Sequence, residues 1–271
     1  MQAALQRSWL PVVAALVALA FSTSAASAQA SNDPATMNLP PAEEIYERYI
    51  EAIGGRDKGF AIKRKEFRGV YDGEPFENTV ILRLWQEYPN KWALRISEPA
   101  GRTVNSVFDG EHGWQSVEPG RSMWLEGTKA LEMRENAEFY GEANYKERYK
   151  SIETLRRAVF RDKECYLVAS ETHSGRKYIV VFEVDSGLQA GVQAYVTEGA
   201  KRLPFTVTYD KYQEFDGIMI PTEITQQIAR DGARPSIWKL RDAIFGGDEH
   251  DYSAPESMGE PPADDGSASG G

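Results

Sequence analysis

TVILRLWQEYPNKWALRIS, residues 79–97, alternates with period two on both sides of a turn. Val80, Leu82 and Leu84 share one face, with Thr79, Ile81, Arg83 and Trp85 on the other. After Pro89-Asn90 the pattern resumes, with Trp92, Leu94 and Ile96 set against Arg95 and Ser97. Successive side chains of a strand point to opposite sides, so these are two half-buried strands joined by a tight turn.

The same punctuation recurs along the chain. Asp72-Gly73, Pro99-Ala100-Gly101, Asp109-Gly110, Ser174-Gly175, Asp185-Ser186-Gly187, Asp216-Gly217 and Asp231-Gly232 separate further alternating runs. Asp-Gly between such runs is a strong hairpin signal. Eleven or twelve strands are expected, in the windows 62–71, 76–86, 91–98, 103–109, 112–117, 151–159, 164–172, 176–184, 188–198, 203–214, 217–229 and 235–244. Strands joined by short loops make an up-and-down sheet, and this many curl into a sandwich, a barrel or an open half-barrel.

Two stretches break the rhythm. Pro40-Pro41-Ala-Glu-Glu opens a helix, with Pro in the first turn and acids at the positive end of the dipole. Ile45, Tyr49, Ile50 and Ile53 form its apolar stripe, and Gly54-Gly55 ends it as a left-handed cap. Residues 122–150 lack hairpin punctuation; Leu125, Lys129, Leu131, Met133, Ala137, Phe139, Tyr140, Tyr145 and Tyr149 suit a helix or helix pair broken at Gly141. Two helical elements over a curled sheet enclose an apolar hollow that helices or a ligand can fill.

The two ends of the chain have a different character. Arg7, the apolar run Leu10–Phe21 and the A-x-A patterns at 26–28 and 28–30 are the layout of a cleavable signal peptide, so residues 1–30 are an export signal. The run is too short to span a bilayer comfortably and no later stretch is long enough, so the mature protein is not itself membrane-spanning. Residues 246–271 are rich in Gly, Pro, Ser and Asp, with seven acids and no Lys or Arg, and are expected to be a disordered acidic tail. The single domain 31–245 is closer to neutral, although the whole chain carries −10. That charge excludes a nucleic-acid partner, which needs a basic stripe.

Catalytic chemistry is scarce. Asp109, Glu111 and His112 would make an acid–base cluster, but adjacent residues on a hairpin tip lack the burial that tunes a pKa. Cys165 sits in a strand and reads as a small buried apolar residue. One Cys and three scattered His leave no metal site, and no nucleotide-binding or hydrolase motif occurs. No enzyme and no cofactor is expected. The aromatic supply is the richer signal: with Leu82, Leu84, Leu94 and Ile96 as sheet wall, Trp92, Trp114, Phe139, Tyr140, Tyr145 and Tyr149 would line the hollow. At about 0.8 kcal/mol per buried methylene, a 16-carbon acyl chain would gain on the order of 10 kcal/mol there, before ordering costs.

PAEEIYERYIEAIGG (41–55) and VFDGEHGW (107–114) resemble the opening of the LolA/LolB-like group of bacterial envelope proteins. EFYGEANYK (138–146), FEVDSGL (182–188) and YQEFDGIMIPT (212–222) resemble its outer-membrane lipoprotein-sorting-like relatives. The resemblance implies a mainly β fold, an incomplete antiparallel half-barrel of about eleven strands with a helical lid over an apolar cavity. It implies a periplasmic carrier in a Gram-negative bacterium, holding a lipid, an acyl chain or an acylated protein. It also implies an inner-barrel Arg that latches the lid, for which Arg68, Arg83 and Arg95 are available and Arg83 is the choice. The alternatives are an interaction module, its cavity filled by its own side chains and an envelope or inner-membrane protein as partner, and a lipid or glycan hydrolase built on Asp109, Glu111 and His112.

Overall fold

The computed structural model describes residues 39–99, 101–118, 121–198 and 201–262. The expected signal peptide and residues 263–271 of the tail lie outside the described residues.

The chain is mainly β, and its strands form one open antiparallel sheet of thirteen strands in the order β6-β5-β4-β3-β2-β1-β13-β12-β11-β10-β9-β8-β7. The first half is a meander: β1 (Arg64–Asp72), β2 (Val80–Glu87), β3 (Lys91–Ser97), β4 (Thr103–Phe108), β5 (Gly113–Glu118) and β6 (Arg121–Trp124). The second is another: β7 (Tyr149–Phe160), β8 (Lys163–Thr172), β9 (Lys177–Glu183), β10 (Gln189–Glu198), β11 (Lys201–Phe215), β12 (Ile218–Ile228) and β13 (Ser236–Phe245). Pairing of β1 with β13 joins the meanders in the middle of the sheet. The free edges are therefore β6 and β7, which are consecutive in sequence. The segment between them, the lid, holds α3 (Gly127–Asn136), a 3-10 turn (Gly141–Asn144) and α4 (Tyr145–Arg148).

All twelve expected strand windows carry a strand. The thirteenth, β6, takes the first residues of the stretch expected to be helical. It is only four residues long and is held by pairing with β5, with Trp124 opposite Trp114. A short helix, α2 (Arg56–Ala61), also follows the first one, α1 (Ala42–Ala52). The glycine stop of α1 is real: Gly54 has φ +119°, and the Gly55 N–H donates to Ile50 O at 2.9 Å. A side chain at Gly54 would meet Gly217 O at 2.3 Å, because the helix end lies against the β11–β12 turn.

The helices cover one face of the sheet, over two apolar clusters. Over the first meander and the adjoining β13, Leu125, Met133 and Ala137 of the lid segment pack on Phe67, Tyr71, Leu82, Trp92, Leu94, Ile96 and Trp238. Over the second, Ile45, Tyr46 and Ile50 of α1, with Ala143, Tyr145 and Tyr149, pack on Val168, Val180, Phe182, Val196 and Phe205. On the opposite face the first meander carries a cross-strand row: Trp85, Ala93, Val107, Trp114 and Trp124 are successive register partners across β2 to β6.

That row is covered by part of the acidic tail for which disorder is expected. The described part of the tail returns over it: Tyr252 is buried against Trp114 and its neighbours, and the His250 imidazole stacks on Trp85 with centroids 4.2 Å apart. Trp114 Nε1 donates to Tyr252 O at 3.4 Å. The tail itself is poor in apolar residues, but the sheet supplies the apolar surface that its composition lacks.

Candidate functional site

The lid meets the sheet through a polar seam between the two clusters. Its sheet side begins at the β8–β9 hairpin. Thr172 and Arg176 close that turn through Thr172 N–H to Arg176 O (2.9 Å), and Gly175 takes φ +84°. Arg176 lies two residues before Tyr178 and four before Val180, so alternation turns it to the helix-covered face. It is 1% exposed. Its Nη1 sits 2.6 Å from Oε2 of Glu135, in the last turn of α3. The Ser174 hydroxyl, itself paired with Thr172 Oγ1 at 2.9 Å, donates to the other Glu135 oxygen.

Arg148, at the end of α4, ties the lid to itself. It donates from Nη1 to Glu135 O (3.0 Å) and from Nε to the Tyr149 hydroxyl (3.2 Å), with the Glu138 and Glu142 carboxylates 3.9 and 3.8 Å away. Tyr149 donates on to Glu142 at 2.6 Å. Tyr46 of α1 stacks on Tyr145 and shares a hydrogen bond of 2.9 Å with Ser170. Burial pushes the phenols of Tyr46, Tyr149 and Tyr178 well up, and the Glu142 carboxylate adds to this for all three, so they stay neutral. Four polar atoms here have no hydrogen-bond partner among the described residues: Nε and Nη2 of Arg176, the Tyr178 hydroxyl and Oε2 of Glu138.

Between α3 and the 3-10 turn the lid rests on β1. Lys65 donates to Phe139 O at 2.8 Å with its ammonium 4.1 Å from the Phe139 ring centre, and burial pulls its pKa down to about 8 against the pull of Glu138. Tyr140 stacks on Phe60 of α2, donates to Phe60 O at 2.9 Å and accepts from Lys63 at 2.7 Å. Beside it opens a cleft of about 630 Å³ lined by Lys58, Ile62, Lys63, Arg64, Tyr88 and Phe245 among others.

The expected lining residues are not gathered round one hollow. Leu82, Trp92, Leu94 and Ile96 are buried in the first cluster with Leu84 beside it, and Tyr145 and Tyr149 belong to the second with Tyr140 packed against it. Phe139 is buried between Lys65 and Tyr140, and Trp114 lies on the opposite face beneath the tail. Arg83 is the expected lid latch. It follows Leu82 by one residue, so it points to the opposite face, where it is exposed in register between Arg68 and Arg95. The arginine that bonds the lid is Arg176. The sequence hides it because it directly follows a Ser-Gly turn, where an Arg is expected in solvent; only its even spacing from Tyr178 and Val180 marks it as inward.

The acid–base cluster is a hairpin tip. Asp109 Oδ1 accepts from the backbone N–H groups of Glu111 (2.8 Å) and His112 (2.7 Å), which engages its carboxylate in shaping the turn. Cys165 is fully buried, and burial raises its thiol pKa to about 11, so it carries no thiolate near neutrality. Among the described residues no group of three or more His, Cys, Asp and Glu gathers as a metal site would, and no helix is long and apolar enough to cross a membrane.

The fold is similar to those of solved structures. A LolA superfamily protein from Nitrosomonas europaea superposes with a TM-score of 0.52 at 16% identity, covering 81% of this chain and 97% of that one. The fold is LolA-like. A DUF1329 family protein from Desulfovibrio piger superposes on the same LolA-like fold with a TM-score of 0.53 at 10% identity, over 76% of this chain and 94% of that one. No family model and no curated protein matches the sequence.

Proposed function

We propose that this protein is a non-enzymatic periplasmic carrier of an apolar ligand, a lipid, an acyl chain or an acylated protein, which it takes up beneath the lid. The observation that carries this reading is the lid itself. It bridges the two free edges of the sheet, covers apolar residues on the first meander and is held there by a few polar contacts centred on Arg176 and Glu135. A cover fixed by polar contacts over apolar surface can lift without breaking the sheet, and an acyl chain replaces the apolar contacts that α3 gives up. The binding-competent state is then the lifted one, and a ligand that binds it better shifts the population toward it.

The second reading is an envelope interaction module. It is favoured by the packing of Leu82, Leu94 and Ile96 against side chains of the lid segment rather than round a cavity. One experiment separates the two. Protein purified from cell envelopes without detergent is examined by native mass spectrometry, then titrated with dodecyl amphiphiles while hydrogen exchange is followed in residues 125–148. Saturable binding that deprotects α3 supports the carrier. A folded protein that binds no amphiphile, with α3 protection unchanged, rejects it in favour of the module.

A further inference from the structure

The seam contains an arginine whose surroundings are only half complete. Arg176 is 1% exposed and carries five N–H donors, yet among the described residues its side chain has one hydrogen-bond acceptor, Glu135, reached through Nη1. Nε and Nη2 are buried without a partner, as is the hydroxyl of Tyr178, whose ring centre is 5.6 Å from the guanidinium carbon. Buried donors are almost always satisfied, and two unsatisfied guanidinium nitrogens, next to a tyrosine whose own buried hydroxyl is unpaired and able to donate, define a place for an acceptor. A buried guanidinium also needs a counter-charge. In the closed state Glu135 supplies it, and Glu135 belongs to the element that must move.

We infer that Arg176 and Tyr178 form an anion subsite for the head of the amphiphile, and that Glu135 is its internal stand-in. The inference rests on the carrier reading and names the ligand class within it: a single-chain amphiphile ending in a carboxylate or a phosphate monoester. Both head types present planar or forked acceptors to a guanidinium, which pairs with them through two N–H groups at once. When such a head reaches Arg176 it takes the place of the Glu135 carboxylate and adds the acceptors that Nε, Nη2 and Tyr178 lack. The exchange is charge for charge, so Arg176 is never left buried alone. It frees Glu135 and with it the last turn of α3, so that head-group capture and lid release are one event. A neutral head cannot do this, because displacing Glu135 would strand the arginine.

The test titrates delipidated full-length mature protein with laurate, dodecyl phosphate and dodecanol, all below their aggregation limits, read by tryptophan fluorescence and calorimetry. Laurate, dodecyl phosphate or both should bind at least tenfold more tightly than dodecanol; which of them does identifies the carboxylate or the phosphate source. Glu135→Gln, which keeps the shape and removes the competing charge, should raise the anion-to-alcohol ratio about tenfold. Arg176→Met should abolish the ratio; should it fail to fold, Glu135→Gln decides alone. Equal affinity for all three ligands, or a ratio that Glu135→Gln leaves unchanged, overturns the subsite while leaving the carrier standing. Binding of none of the three overturns both.

Discussion

Tyr46 in α1 and Tyr145 in the lid stack with ring centres 4.7 Å apart and 17° between their planes. The far end of the lid is thus held by α1, while its near end is held by the sheet through Glu135 and Arg176. The two attachments differ in kind. The first is a stack backed by apolar packing and by the bond from Tyr46 to Ser170. The second is a charge pair, the contact that a charged ligand can replace.

Tyr46→Phe tests the first attachment. The stack survives, but Ser170, which is 2% exposed, loses its hydroxyl partner. Leaving a buried polar group unpaired costs about 1–3 kcal/mol. Chemical denaturation should show a loss in that range with an unchanged slope. A loss below about 0.5 kcal/mol would mean that Ser170 finds another partner and that Tyr46 acts through its ring alone.

Lys65 gives the lid a pH signature. Its pKa lies at about 8 in the folded protein, below its ordinary value of 10.5, because burial beneath Phe139 disfavours the charged amine. Between those two values the unfolded chain binds the proton and the folded one does not, so this residue makes stability rise with pH across that window; below about 8 its penalty is fully present. The buried tyrosines act in the opposite sense, chiefly above pH ~10. The clean measurement is therefore a difference. Thermal midpoints of the wild type minus those of Lys65→Met should climb from pH 8 to pH 10 and stay level from pH 6 to pH 7.5. A difference that is flat throughout would show that Lys65 titrates as if solvated.

The sheet was legible because alternation is a local signal. Val80, Leu82 and Leu84 against Arg83 and Trp85 gave β2 its inner face, and the same rule carried through all twelve windows. The stripe of α1 is likewise local, though Tyr46, its most buried side chain, lies beside the stripe of Ile45, Tyr49, Ile50 and Ile53. What failed was long-range. Residues 121–124 have no periodicity of their own to report, and become a strand because β5 offers them an edge. Arg83 alternates with Leu82 and Leu84, and that parity places it outward. Trp85 and Trp114 lie in one cross-strand row on the face opposite the lid, and an apolar row there needs a cover. That signal lay in the strands rather than in the acidic tail that answers it.

Gly54→Ala tests the joint between α1 and the sheet. Its φ of +119° is one that L side chains rarely adopt, and the added Cβ would lie 2.3 Å from Gly217 O, a backbone atom of the β11–β12 turn. Strain of this kind costs on the order of 1–3 kcal/mol, and here it adds to a steric clash. The variant should be destabilised by at least 2 kcal/mol. Hydrogen exchange should increase first at Met219, whose N–H donates to Ile53 O at 3.1 Å across this joint. Alanine tolerated at wild-type stability would mean that the helix end moves off the turn freely.

The tail makes its own prediction. Tyr252 is 5% exposed, packed among Ala93, Val107 and Trp114, and is the side chain on which the covering segment turns. Truncating a buried aromatic to Ala removes about 3–5 kcal/mol of contact. Because the segment is held by few other apolar groups, that loss should detach it locally without unfolding the sheet. Tyr252→Ala should therefore lower the global denaturation midpoint only slightly. Limited proteolysis after residue 246 should accelerate at least tenfold, and the fluorescence of Trp85 and Trp114 should shift to the red as water reaches the row. Cleavage at the wild-type rate would place the hold of the tail elsewhere, on the stack of His250 over Trp85.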